Sequence, residues 1–182
     1  MQHVLLFFFF FSLALFLSVN HVSAASPPPT CASTSNIKDA CKLVADKYPA
    51  VGYDFCFKSL KKFPSGDLHD LALVATRTAI AHAASAESEI EELIDLETEP
   101  AAKSSFDKCL DAYADAVERM RNAVDNIAAR VYKKADQQLG DAVAAAKKCK
   151  TDGNNKGALL APAGSDYAKL ANIARAIVVS LE

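Results

Sequence analysis

Cysteine offers the most chemistry in this chain, at positions 31, 41, 56, 109 and 149. A thiolate can attack a carbonyl, ligate zinc or close a disulfide. Zinc needs paired ligands at short spacing, and neither Cys-x2-Cys nor His-x3-His occurs. His69 sits beside Asp70 in the first turn of a long apolar-periodic segment, and His82 lies further along it. The two are separated by about 220° around a helix, so they share no face. His82 falls on the apolar side and reads as a satisfied core histidine. No Gly-rich phosphate loop and no Gly-x-Ser-x-Gly elbow is present. The residues point to no enzyme, no metal and no cofactor, which leaves disulfides and recognition.

The start of the chain sets the redox setting. Residues 5–19 are almost entirely Leu, Phe, Ala and Val, too short to cross a bilayer as an ordinary helix. Val22-Ser23-Ala24 supplies the small residues a signal peptidase reads, so residues 1–24 are expected to be a secretory signal. A retained anchor is the competing reading, because only the amino terminus and His3 lend positive charge before the apolar run. Export implies an oxidising compartment, where cysteines pair. After cleavage no membrane contact is expected. The net charge of −2 provides no basic field for nucleic acid. No Asn-x-Ser/Thr site is present for N-glycosylation.

Turn symmetry selects the pairs. Cys41 and Cys56 lie equally far from the Tyr48–Pro49 junction, so a hairpin folded there brings both sulfurs to one level. If the chain reverses between Arg130 and Val131, Cys109 and Cys149 lie on antiparallel neighbours with an axial offset of about 5 Å. Cys31 is left over, as a free thiol or as an intermolecular bridge making a dimer. A Cys31–Cys41 bond would need the intervening segment to be non-helical.

The elements that position these residues are helices. Ser26-Pro27-Pro28-Pro29-Thr30 is a stiff leader within residues 25–35. Residues 33–36 offer N-caps, and residues 36–63 form the stapled hairpin, with Pro49 and Gly52 at its turn. Pro64, Ser65 and Gly66 break the chain before Asp67 caps a long helix. Its apolar face runs through Leu68, Leu71, Ala72, Ala75, Ala79, His82, Ala83, Ala86, Ile90 and Leu93, and it ends near Leu96. Thr98 is placed to cap the next helix, with Pro100 in its first turn. Phe106, Leu110, Tyr113, Val117, Met120, Val124, Ile127 and Val131 then recur at four and three residues. Tyr132, Ala135, Leu139, Ala142, Ala146 and Cys149 do the same beyond a break near Arg130. Residues 150–164 read as a loop. Ser165 or Asp166 caps a last helix with Tyr167, Leu170, Ala174, Ile177 and Leu181 inward. No segment alternates with period two. The expected fold is all-α, an up-down-up-down four-helix bundle over residues 67–182, with the hairpin as an N-terminal extension.

These features resemble the plant invertase and pectin methylesterase inhibitors. The resemblance covers essentially the whole mature chain, residues 36–182 as the inhibitor domain. It rests on the signal, on Ala40-Cys41 and Tyr53-Asp54-Phe55-Cys56-Phe57-Lys58-Ser59-Leu60, and on the Asp67-Leu68…Leu71-Ala72 opening. Cys109, Cys149 and the closing Ala174-Arg175-Ala176-Ile177-Val178 complete it. The branch named for invertase inhibition, with pollen allergens among its members, is the most similar. The resemblance implies a four-helix bundle with a helical hairpin and two disulfides. It also implies a secreted protein of the apoplast or cell wall, or of the vacuole, that blocks an enzyme's active-site cleft in a one-to-one complex.

Invertase inhibitors of the family commonly carry Pro-Lys-Phe at the turn between the second and third bundle helices. Here that stretch is Ala129-Arg130-Val131-Tyr132-Lys133-Lys134, basic and aromatic without the motif. Residues after the fourth family cysteine, often acidic and aromatic, are Lys150-Thr151-Asp152-Gly153. Cys31 has no counterpart. Arg130, Val131, Tyr132, Lys133 and Lys134 are expected to form a rigid tip, held by the nearby disulfide, that binds a target enzyme. Arg and Tyr are common interface anchors, and a sugar-cleaving site offers paired carboxylates to a cation and a phenol. An ordinary exposed turn is the competing reading. Acid invertase is the first expected target. Pectin methylesterase is the second, met through helix faces, and a non-inhibitory structural or ligand-binding bundle is the third. Glu87, Glu89, Glu91, Glu92, Asp95, Glu97 and Glu99 read as a solvated helix end rather than a docking surface for a basic partner. Lys147, Lys148 and Lys150 suit the dipole of a helix C-terminus.

Overall fold

A computed structural model of the chain describes residues 32–63, 67–152 and 161–182. The expected signal, Cys31, the break at residues 64–66 and the middle of the expected last loop lie outside the described residues.

The hairpin builds itself from short-range signals. Helix α1, Ala32–Lys47, presents Ile37, Ala40, Cys41 and Val44 inward. It is already helical at residues 33–36, where caps were expected. It stops ahead of Pro49, because the residue before proline is pushed away from the helical region. Gly52 takes φ +73°, a conformation that costs glycine little. From there α2, Tyr53–Leu60, runs back with Cys56 and Leu60 inward. The Cys41–Cys56 disulfide joins the arms at a Cα–Cα distance of 5.5 Å.

Helix α3, Leu68–Leu96, opens as its sequence specifies: the Asp67 carboxylate accepts from the Asp70 N–H at 2.9 Å. Its inner row is Leu71, Ala72, Ala75, Thr76, Ala79, Ala83, Ala86 and Ile90. The small side chains let neighbouring backbones approach. Thr76, the buried polar residue of this core, donates to the Ala72 carbonyl at 2.8 Å. His82 is exposed, contrary to its reading as a core histidine. At its level the buried row is Ala79, Ala83 and Ala86, and His82 lies outside it.

Helix α4, Pro100–Ala128, begins on its proline, where a missing N–H costs nothing. Thr98 does not cap it. The Glu97 carboxylate instead accepts from the N–H groups of Thr98 and Glu99, both at 3.0 Å. Phe106, Cys109, Tyr113, Val117, Met120 and Ile127 face inward. Helix α5 is Tyr132–Asp152 and α6 is Ala161–Val179. Both extend into the stretch expected as loop, and α6 starts ahead of Ser165 and Asp166. Pro162 falls in its first turn, where proline favours a start rather than a break.

Each long helix packs against two others, in the cycle α3–α4–α5–α6–α3. That is the up-down-up-down bundle, and among the described residues no strand occurs. The Cys109–Cys149 disulfide ties α4 to α5, with Cα atoms 4.8 Å apart. Tyr113 and Tyr167 meet in the core with ring centroids 5.4 Å apart, and the Tyr167 hydroxyl donates to the Ala142 carbonyl. Burying each large apolar side chain contributes about 1.5–3 kcal/mol, opposed by conformational entropy. The hairpin rests mainly on α6. Arg175 of α6 pairs with Asp136 of α5 at 2.9 Å, and its guanidinium lies 6.0 Å from the Tyr48 ring. Gly140 makes room: a Cβ there would stand 3.2 Å from the Arg175 guanidinium carbon.

Candidate target-binding surface

The reversal between α4 and α5 is a tight helix end built from the backbone. The Val131 N–H donates to the Asn126 carbonyl and the Arg130 N–H to the Ile127 carbonyl, both at 2.8 Å. This is the Schellman pattern, whose left-handed residue is usually glycine. Here that residue is Arg130, at φ +59°, the non-glycine residue with positive φ among the described residues. A side chain there costs about 1–2 kcal/mol, because Cβ crowds the following carbonyl.

Arg130, Lys133 and Lys134 are exposed, and none has a carboxylate partner among the described residues. Val131 is 47% exposed, although the sequence pattern placed it inward. The pattern outran the helix: with α4 over at Ala128, periodicity no longer governs where Val131 points. Tyr132 is half-buried at the first position of α5. Its hydroxyl lies 3.1 Å from His69 Nδ1 and accepts from Arg130 Nη1 at 3.5 Å. The His69 and Tyr132 rings meet edge to face with centroids 6.2 Å apart. The turn is thus tied to the first turn of α3.

That tie corrects one expectation. The Cys109–Cys149 disulfide does not hold the tip. Cys149 lies about 25 Å along α5 from Tyr132, at 1.5 Å per residue. The tip is fixed by the Schellman bonds and the His69–Tyr132 contact. Sequence reasoning placed His69 in the right turn of the right helix without connecting it to the tip. The signal was available, since an up-down-up-down bundle puts the start of α3 and the α4–α5 turn at the same end.

The other candidates stay apart. His69 and His82 do not meet, and among the described residues no three His, Cys, Asp or Glu side chains cluster as a metal site. Glu89, Glu91, Glu92, Asp95 and Glu99 are exposed, as a solvated helix end requires. Glu87 is half-buried; burial and then Glu91 push its carboxyl above the usual range, with Arg121 opposing. Lys147 and Lys148 are exposed near the end of α5. No described helix is long and apolar enough to cross a membrane.

Residues 35–177 match the family model described as plant invertase/pectin methylesterase inhibitor. Two relatives are each named "Putative invertase inhibitor". The one from Platanus acerifolia is 28% identical over 175 residues, 93% of this chain and 92% of its own length. The one from Platanus orientalis is 28% identical over 151 residues, 80% of this chain and 89% of its own. Among solved structures, a pectin methylesterase inhibitor from Arabidopsis thaliana aligns with a TM-score of 0.60 at 23% identity, covering 81% of this chain and 97% of that one. A mutant form of an Arabidopsis pectin methylesterase inhibitor aligns at 0.69 and 22% identity, covering 83% and 98%. At such identities these structures carry the fold alone.

Proposed function

Since this chain belongs to the plant invertase/pectin methylesterase inhibitor family, we propose that it is a secreted inhibitor that blocks a plant acid invertase in a one-to-one complex. The inhibitor inserts the α4–α5 tip into the catalytic cleft. The observation that carries this reading is Arg130 itself. An arginine holds a strained position that glycine would fill with less cost, and strain that persists at an exposed site points to function. Around it stand an exposed valine, two lysines and a phenol. A glycosidase cleft keeps paired carboxylates, which attract cations and accept hydrogen bonds from a guanidinium. The inhibitor needs no chemistry of its own, because occlusion suffices.

The test is a titration of the purified, oxidised mature chain against an acid invertase and a pectin methylesterase at apoplast-like pH. Stoichiometric loss of invertase activity is expected. The double change Arg130→Ala with Lys133→Ala should weaken that inhibition about tenfold or more, the scale of interface anchors, with the melting temperature held. Inhibition of the esterase alone would move the target. Unaltered inhibition by the double variant would remove the tip from the interface.

A further inference from the structure

We propose that His69, in the first turn of α3, is a positioning residue for the tip, holding the Tyr132 phenol and through it the Arg130 guanidinium. The inference rests on the reading of the tip as the surface that meets the enzyme.

The direction of one bond is fixed by chemistry. A guanidinium can only donate, so the Tyr132 oxygen accepts from Arg130 Nη1. The phenol hydrogen is then available to His69 Nδ1, 3.1 Å away. The neutral imidazole with its hydrogen on Nε2 is the form that accepts this bond. Bonds in such a chain polarise one another, so the phenol that donates to the imidazole becomes a better acceptor for Arg130. The histidine ring also packs edge to face on the tyrosine ring, which limits where the phenol can swing.

Nothing else described does this work. The Schellman bonds fix the backbone at Arg130 and Val131, but a long exposed side chain on a fixed backbone still samples many rotamers. Every rotamer lost on binding weakens the complex, and ordering before binding removes that loss. The Cys109–Cys149 bond lies far along the bundle. His69 comes from a different helix and anchors the phenol to the scaffold, which is where a supporting residue should stand. Among the described residues, Tyr132 is the partner of its ring.

The experiment uses the full mature chain with His69→Phe, His69→Asn and Tyr132→Phe. The first keeps an aromatic ring but no acceptor. The second places an amide oxygen near the position of Nδ1. In the free protein, the NMR resonances of Tyr132 Cζ and Arg130 Nε report the chain directly. His69→Phe is expected to move both and to weaken inhibition of acid invertase about fivefold, with His69→Asn restoring both readouts. In the Tyr132→Phe background, His69→Phe should have no further effect, because coupled residues are not additive. Unmoved resonances in His69→Phe overturn the proposal whatever inhibition does. Moved resonances with undiminished inhibition, in a chain that Arg130→Ala does weaken, overturn it as well. If Arg130→Ala leaves inhibition intact, the tip reading has failed, and the resonances alone decide whether His69 orders the two side chains. Should His69→Phe not fold, His69→Ala removes the same bond and the Tyr132 and Arg130 resonances are read there, with the same outcomes deciding.

Discussion

Arg130 sets stability against recognition at a single residue. Arg130→Gly removes a strain of about 1–2 kcal/mol and adds about 0.5–1 kcal/mol of unfolded-state freedom. The net expectation is a variant that melts about 1–4 °C higher and inhibits less, read by calorimetry and by titration of the enzyme. A variant that melts lower would mean the side chain supports the turn. Tyr113 sets a second expectation. Burial first, and then Glu89, push its phenol from the usual 10.0 up to about 12. The folded form therefore holds its proton after the unfolded form has lost it. The associated stability is fully present below pH 10 and fades as pH rises toward 12, by up to about 2.5 kcal/mol. Tyr113→Phe removes that loss, so alkaline unfolding followed by circular dichroism should move to higher pH. Residues of this kind were only partly legible. Tyr113 belonged to the cleanest apolar row in the chain. Val131 belonged to the same row and faces solvent, because a period extrapolates through a helix end that only backbone geometry defines. His82 was misread for a related reason: an apolar face is a property of the packed neighbours as well as of the helix.

The hairpin depends on two contacts with α6. The Lys169 ammonium lies 4.8 Å from the centre of the Phe55 ring, and Arg175 lies beside Tyr48 while paired with Asp136. Asp136→Asn leaves a half-buried guanidinium with a weaker partner, at a cost of about 1 kcal/mol. Hydrogen exchange should then speed up at Tyr48 and Val51, whose amides close the hairpin turn, while α4 is unaffected. Equal protection in both proteins would show that the Arg175–Asp136 pair does not hold the hairpin turn. The helices themselves were legible where the signal was short-range. Asp67 caps α3 and Pro100 opens α4. The misses came where two signals competed. Glu97 outreached Thr98 for the free amides before Pro100, and Pro162 served as a helix start within a stretch whose glycines and prolines read as loop.

At the scale of the molecule, the topology followed from four amphipathic patterns and short connections, and both disulfides from symmetry about the turns. What the tip rests on did not, since that contact joins residues far apart in the chain. Removing the long staple by Cys109→Ala with Cys149→Ala should cost about 3–4 kcal/mol, by the entropy of the closed loop. The melting temperature should fall by about 10 °C. Inhibition measured well below it should not change, because the bond lies far from the tip; a weakened complex would show that the two are coupled. The same bond has a further consequence for proteolysis. Arg77, Arg119, Arg121 and Arg175 lie inside helices, whereas Arg130 lies in an exposed turn. An arginine-specific protease would be directed to the Arg130–Val131 peptide whenever the turn opens. The nicked chain would stay in one piece, because Cys109 and Cys149 lie on opposite sides of the cut. It would run as one band without reductant and as two with it. Clipping could thus switch the inhibitor off while leaving the bundle covalently joined and folded.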